Sequence, residues 1–394
     1  MNLNKPKPKA DKPLLYQSNE RGELKHFHGR KEELLHFNGL LDEMQAKAQG
    51  STFLVQGSPG AGKSALLEKC MEEALEKGWH VAKIEPNALY NKQVLKKKLE
   101  FKDVWKFWQK SKVPIRASFA GFGFGTTIEL NHTTFQSILN RIQKPTLLVL
   151  DEAQRLGDID KLANQEYKAI RDVLSNFHKG HFKNGFVFLV AGLNQTYEIL
   201  EKFHISRFSS ENYIRLGVLD KVSERKIIED WLIKESKVDK DNPRIIHWIS
   251  KIAKETHGWP VHIVGYTNSA FNQIIKDKGL LTEKGLKIVL AEGLSKKNKY
   301  YHQRTHGIDS EEKKMIVDLL NSVDGNVGLG RNRIITYFQK TLSLEKPELF
   351  FEKLFRKGVL HLNQKSNYEI PVPSMKTWLV ENYGGECVDT PTAS

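Results

Sequence analysis

Residues 52–78 read TFLVQGSPGAGKSALLEKCMEEALEKG. A short apolar run, Thr52 to Gln56, leads into Gly57-Ser58-Pro59-Gly60-Ala61-Gly62-Lys63-Ser64, and the helical pattern SALLEKCMEEALEKG, Ser64-Ala65 onward, follows. The middle is GxxxxGK[ST], set between a strand and a helix as that motif requires. Its composition has a chemical reason. Gly57, Gly60 and Gly62 let the backbone curl until its N–H groups converge on phosphate oxygens. The helix that begins near Lys63 adds the positive end of its dipole. Lys63 supplies a cation for the β- and γ-phosphates, and the Ser64 hydroxyl is a Mg²⁺ ligand. The segment therefore predicts a P-loop that takes ATP and Mg²⁺.

About ninety residues on, PTLLVLDEAQ (145–154) carries an apolar run into two acids. A strand ending in Asp delivers a carboxylate to the carboxyl edge of a parallel sheet, where ligands bind in such folds. Asp151 is expected to hold Mg²⁺ through water, and Glu152 to orient and polarise the attacking water.

Working outward, further apolar runs at Trp79–Ile84 and Phe186–Ala191 alternate with helical patterns between residues 25 and 220. That alternation predicts a parallel sheet with helices on both faces, an αβα sandwich. Residues 221–300 are helical throughout, over Glu224–Glu235, Arg244–Glu255, Pro260–Ile275 and Glu283–Leu294. Residues 301–385 read as three short helices (310–321, 331–341 and 347–357) and a hairpin from Val359–Leu362 and Tyr368–Ile370. A proline-rich basic arm (1–24) and a tail (386–394) flank these parts, and the arm lacks the apolar core of a secretory leader.

Composition bounds the function. With 61 Lys+Arg against 47 Asp+Glu the chain is formally +14, which favours a polyanionic partner. Its two cysteines, Cys70 and Cys387, form no disulfide framework or zinc motif, which suits a reducing cytoplasm. No apolar run approaches the roughly 20 residues that span a bilayer, so no membrane partner is expected. The basic tract 91–112 places Trp105 and Trp108 on one helix face, read as core packing with solvated lysines.

The two motifs together resemble the AAA+ ATPases, and further segments are similar in chain order. FHGRKEEL (27–34) resembles the F-x-GR-x-x-EL box of origin-recognition and signalling members, which implies that Gly29 and Arg30 lie near the adenine. FVFLVAGLNQT (186–196) looks like the sensor 1 strand, with Asn194 as its polar residue. SRF (206–208) resembles the arginine-finger segment, which implies a homo-oligomer in which Arg207 reaches a neighbour's γ-phosphate. ETHGWPVHIVG (255–265) stands at the sensor 2 position of the helical lid, with His262 where many members have arginine. DEAQ is similar to bacterial ATPases that choose transposition targets or drive secretion-linked assembly.

Three helices and a hairpin are the winged-helix order, and a winged helix after a lid resembles the origin-recognition ATPases. In that fold the third helix enters the major groove and the wing touches phosphate. Lys353, Arg356 and Lys357 would be the helix contacts and Lys365 the wing-tip contact. Two functions follow from the resemblance. One is a DNA-associated ATPase of replication, transposition or mobile-element control. The other is a STAND-like signalling ATPase of antiviral defence, with a partner protein as trigger, a separate effector, and the winged helix as a protein-docking surface.

Overall fold

The computed structural model describes residues 26–84, 86, 143–161, 171–172, 174–175, 177–178, 180–206, 208–322, 329–340, 345–363 and 367–384. The arm, the tract 91–112, Arg207 and Lys365 lie outside them. Contacts divide the chain into two units: residues up to His28 with Asp220–Lys299, and Gly29–Leu219 with Tyr300–Ser394.

The second unit is built on a parallel sheet. Its strands are β1 (Gly50–Gly57), β2 (His80–Ile84), β3 (Thr146–Leu150), β4 (Phe186–Gly192) and β5 (Tyr213–Leu216), in the order β2-β3-β4-β1-β5. Every pairing is parallel, so the carboxyl ends share one edge. The register sets Leu150 beside Val190, and Gln56 beside both Gly192 and Arg215. β4 thus separates the phosphate-loop strand from the acidic strand. The expected parallel α/β sheet is present; its inner strands β3 and β4 are buried throughout, whereas the edge strands β2 and β5 are buried at only about half their positions. Leu147, Leu148, Val149 and Leu150 are all inaccessible, and each such side chain contributes about 1.5–3 kcal/mol of burial.

Helices α1 (Lys31–Lys47) and α2 (Lys63–Glu76) flank the sheet. α2 buries Leu66, Leu67, Cys70, Met71 and Ala74, a helical stripe set by that spacing. Beyond the sheet edge come a 3-10 segment (Ala153–Lys161) and α3 (Thr196–Lys202).

The first unit is helical. α4 (Lys221–Asp230) starts at Asp220, whose carboxylate accepts from Val222 N and Ser223 N, and it ends in a π-helical turn, Trp231–Glu235. α5 (Ile245–Thr256) buries Ile245, Trp248, Ile249 and Ile252 at helical spacing, and α6 (Pro260–Lys276) starts on a proline. α7 (Glu283–Arg304) runs ten residues past the Leu294 boundary expected from the sequence. The polar stretch SKKNK holds no helix breaker, and the helix stops only before Gly307, at φ 73°.

Residues 300–384 belong to the unit of the sheet. α8 (Ser310–Asn321) opens with an Asp309/Glu312 capping box. α9 (Arg331–Lys340) and α10 (Pro347–Lys357) follow, then the antiparallel pair β6 (His361–Leu362) and β7 (Tyr368–Glu369). Leu329 bridges Tyr368 beside that pair. A last helix, α11 (Pro373–Tyr383), covers the group and packs on α8. Among the described residues no helix is long and apolar enough to cross a membrane.

Candidate nucleotide site

The loop between β1 and α2 carries its glycines where only they are comfortable. Gly60 and Gly62 have φ of 81° and 90°, the left-handed region. Gly62 caps α2 without a side-chain hydrogen bond, so the first N–H groups of the helix remain available to an anion. Lys63 is buried, and its ammonium donates to Gly57 O (2.7 Å) and Ser58 O (3.2 Å). Burial pulls its pKa down to about 8; Glu152 and Asp151 oppose that fall, and Arg304 adds to it. Ser58 Oγ is buried without a hydrogen-bond partner among the described residues.

Strand β3 brings the acids to the same edge. Ser64 Oγ donates to Asp151 Oδ2 at 3.0 Å, and Lys83, at the end of neighbouring β2, lies 3.7 Å from the same oxygen. A hydroxyl and a carboxylate side by side are a donor set suited to Mg²⁺. Glu152 has φ 57°, unusual for a residue with a side chain, and its N–H donates to Asp151 Oδ1 at 2.9 Å. Gln154 then holds the Glu152 carboxylate. Its amide nitrogen donates to Glu152 Oε2 at 2.5 Å, while its oxygen accepts from Leu193 N at 3.1 Å, just past the end of β4.

Asn194, next along, is buried and faces the C-terminal helices of its own unit. Its Nδ2 donates to Leu360 O at 2.8 Å, and its Oδ1 lies 2.7 Å from His361 Nδ1. Since Oδ1 is an acceptor, Nδ1 of His361 carries the proton. Burial pushes the His361 pKa down to about 4, with Arg215 and Lys63 adding to the shift. Arg215 in turn donates to Asn363 O at 3.1 Å. The backbone of Asn194 takes a bond from Gln56 Nε2 at 2.8 Å, and Gln56 Oε1 accepts from Tyr213 OH. Tyr300 OH, near the end of α7, donates to Pro59 O at 2.7 Å.

The remaining candidates are placed as follows. Gly29 (φ 85°) and Arg30 (φ 59°) turn the chain into α1, and the Arg30 guanidinium bonds Gly217 O and Glu33. Ala65 lies in the first turn of α2. His262 belongs to the helical unit, where it is buried; burial lowers its pKa to about 3, with Lys297 and His257 adding to the shift. On α10, Lys353 is tied to Glu312 (2.6 Å), Lys357 donates to His306 O (2.6 Å), and Arg356 is largely exposed, 3.9 Å from Glu352.

The structure thus gathers Lys63, Ser64, Asp151 and Glu152 at one sheet edge and adds Gln154, Tyr300, Arg304 and His361, which sequence reasoning did not single out. Gln154 had a signal, the fourth letter of DEAQ. The other three had none, since they come from chain more than 140 residues away.

Among known proteins, the AAA ATPase domain family matches residues 26–166. No curated protein matches the chain. Two solved structures of the Aeropyrum pernix ORC2 protein resemble it over most of their length. The ADP form is 13% identical, covering 93% of this chain and 96% of that one, with a TM-score of 0.52. The ADPNP–ADP complexes are 14% identical, covering 94% and 96%, with a TM-score of 0.51. At that identity the likeness is one of fold. The converging loop and acidic strand end agree with the match of residues 26–166 to the AAA ATPase domain family, and the parallel sheet is that of a P-loop α/β fold.

Proposed function

We propose that the chain binds Mg·ATP in the loop 57–64 and hydrolyses it by in-line attack of water on the γ-phosphate. The observation that carries this reading is the convergence of buried Lys63, the Ser64–Asp151 pair and Glu152 on one sheet edge. Lys63 leaves its two backbone carbonyls for β- and γ-oxygens, and the amides of the loop and of α2 hold the rest of the phosphate chain. Ser64 and Asp151 would hold Mg²⁺, which would neutralise charge on the phosphates. Glu152 aligns the water, and the family match over residues 26–166 supports hydrolysis in general. The ORC2 protein was solved with ADP and with ADPNP, which supports the same ligand class here.

In this reading 25–220 is the nucleotide-binding domain, 221–300 the lid and 301–385 a winged-helix domain. The helix–hairpin order with the Leu329–Tyr368 bridge supports the last assignment. Arg207 acts in trans in a homo-oligomer. His262 and the Gly29–Arg30 turn serve the nucleotide, as the AAA+ resemblance implies. The partner of the winged helix is DNA, contacted through Lys353, Arg356, Lys357 and Lys365. A second reading, a signalling switch with a protein trigger, draws support from the pairing of Lys353 with Glu312 and of Lys357 with His306 O.

The test has two parts. Lys63→Ala should abolish tight ATP binding, and Glu152→Gln should bind ATP but not turn it over; wild-type turnover by Glu152→Gln rejects the catalytic assignment. A salt titration of duplex DNA binding, wild type against the Lys353/Arg356/Lys357 triple alanine variant, should flatten the log–log slope by about 2 to 3 units. No binding at low salt rejects the DNA reading in favour of the signalling switch.

A further inference from the structure

The last turn of α7 stands against the phosphate loop. Tyr300 OH donates to Pro59 O at 2.7 Å, which anchors that turn beside the loop. Arg304 follows four residues later on the same helix face, its guanidinium carbon 5.7 Å from the centre of the Tyr300 ring. Its Nε is buried and has no hydrogen-bond partner among the described residues. A buried donor without an acceptor costs about 1–3 kcal/mol, so its persistence asks for an acceptor that a ligand would bring. The loop whose Pro59 carbonyl takes the Tyr300 hydroxyl also holds the buried ammonium of Lys63, so Arg304, set against Tyr300, stands beside a loop that is already cationic, an arrangement that a polyanion relieves.

We propose that Arg304 is a phosphate-binding residue acting in cis. Its guanidinium takes an oxygen of the polyphosphate held by residues 57–64, so that the end of α7 closes the phosphate site. The inference rests on the proposed nucleotide function and adds to it a ligand from outside the AAA ATPase segment. Arg304 lies 138 residues beyond that segment's last residue, 166. The bound phosphate thereby ties the loop to the helix that leads into residues 305–384. A planar fork suits a phosphate oxygen pair, which a lysine serves only as a point charge.

The test is calorimetric titration of the full-length protein with Mg·ATP and with inorganic pyrophosphate. Wild type is compared with Arg304→Lys, Arg304→Gln, Arg304→Ala and the charge-matched surface control Lys314→Ala. Loss of one charge-assisted contact predicts a roughly tenfold to hundredfold weaker affinity for Arg304→Gln and Arg304→Ala. Arg304→Lys should fall between these and wild type, and Lys314→Ala should match wild type. Pyrophosphate should follow the same ranking, because the contact is to phosphate and not to the base. Wild-type affinity in Arg304→Gln overturns the proposal. So does a loss that follows the ligand-free melting temperature of each variant, or that Lys314→Ala shares. Absence of ATP binding by wild type itself would instead reject the nucleotide reading, a result distinct from any of these.

Discussion

Replacing Asn194 with Leu separates two roles for this residue. Leu preserves the volume and removes the amide. In the ligand-free protein Asn194 gives Leu360 O a donor at 2.8 Å and takes the Nδ1 proton of His361 at 2.7 Å. Phe355 O, a weaker partner at 3.4 Å, keeps Gly358 N as a donor at 3.0 Å. Two buried polar groups are therefore stranded, at about 1–3 kcal/mol each, so the unit of the sheet should lose roughly 2–6 kcal/mol. Against a typical total of about 5–15 kcal/mol, that is a large fraction. Urea unfolding without nucleotide measures it, with fluorescence of Trp378, buried in α11, reporting on the C-terminal helices. A ligand-free stability within about 0.5 kcal/mol of wild type, together with weakened ATP affinity, would refute the reasoning and leave Asn194 as a group that faces nucleotide.

Three further outcomes are expected. His361 has a folded pKa near 4, below the roughly 6.5 of an unfolded histidine, so its contribution is fully present above pH 6.5 and fades as pH falls towards 4. The loss is about 3 kcal/mol, and His361→Gln, which keeps a donor but does not titrate, should flatten that part of the pH–stability curve. Lys63, with a pKa near 8 in the free protein, loses its charge as pH rises through 8, so ATP affinity should fall by up to about tenfold per pH unit above that point; a flat affinity to pH 9.5 would contradict it. In Gly192→Ala, a Cβ would lie 2.1 Å from Thr196 Oγ1 and 2.9 Å from Gln154 Oε1. The variant should melt lower and turn ATP over more slowly, because Gln154 can no longer hold Glu152, and unchanged turnover would show that the Gln154 bridge is idle.

Much of the sheet was legible in the sequence because its information is local. Four of the strands stand out as apolar runs that end where turn chemistry begins, and the phosphate loop declares itself by glycine spacing. Strand β5 has only four residues, alternately half-buried and buried, so it makes no apolar run of its own even though YIRL reads as strand-like. The far end of α7 was missed because SKKNKYYHQR has no apolar stripe for its packing to show, and α11 because a proline at its start reads as a stop as readily as a first turn.

Sequence alone determined the P-loop α/β class and the gathering of Lys63, Ser64, Asp151 and Glu152. A glycine loop and an acidic strand end have one place to go once the strands are parallel, namely the carboxyl edge. Tertiary structure decided what surrounds those groups. That Asn194 meets His361 and Leu360, that Gln154 joins Glu152 to β4, and that Tyr300 and Arg304 stand beside the phosphate loop depends on long-range contacts. The contacts of Asn194, Tyr300 and Arg304 are fixed by how the residues after 300 pack beside the carboxyl edge of the sheet, through buried surface summed over many side chains, and no local spacing in the chain records that sum.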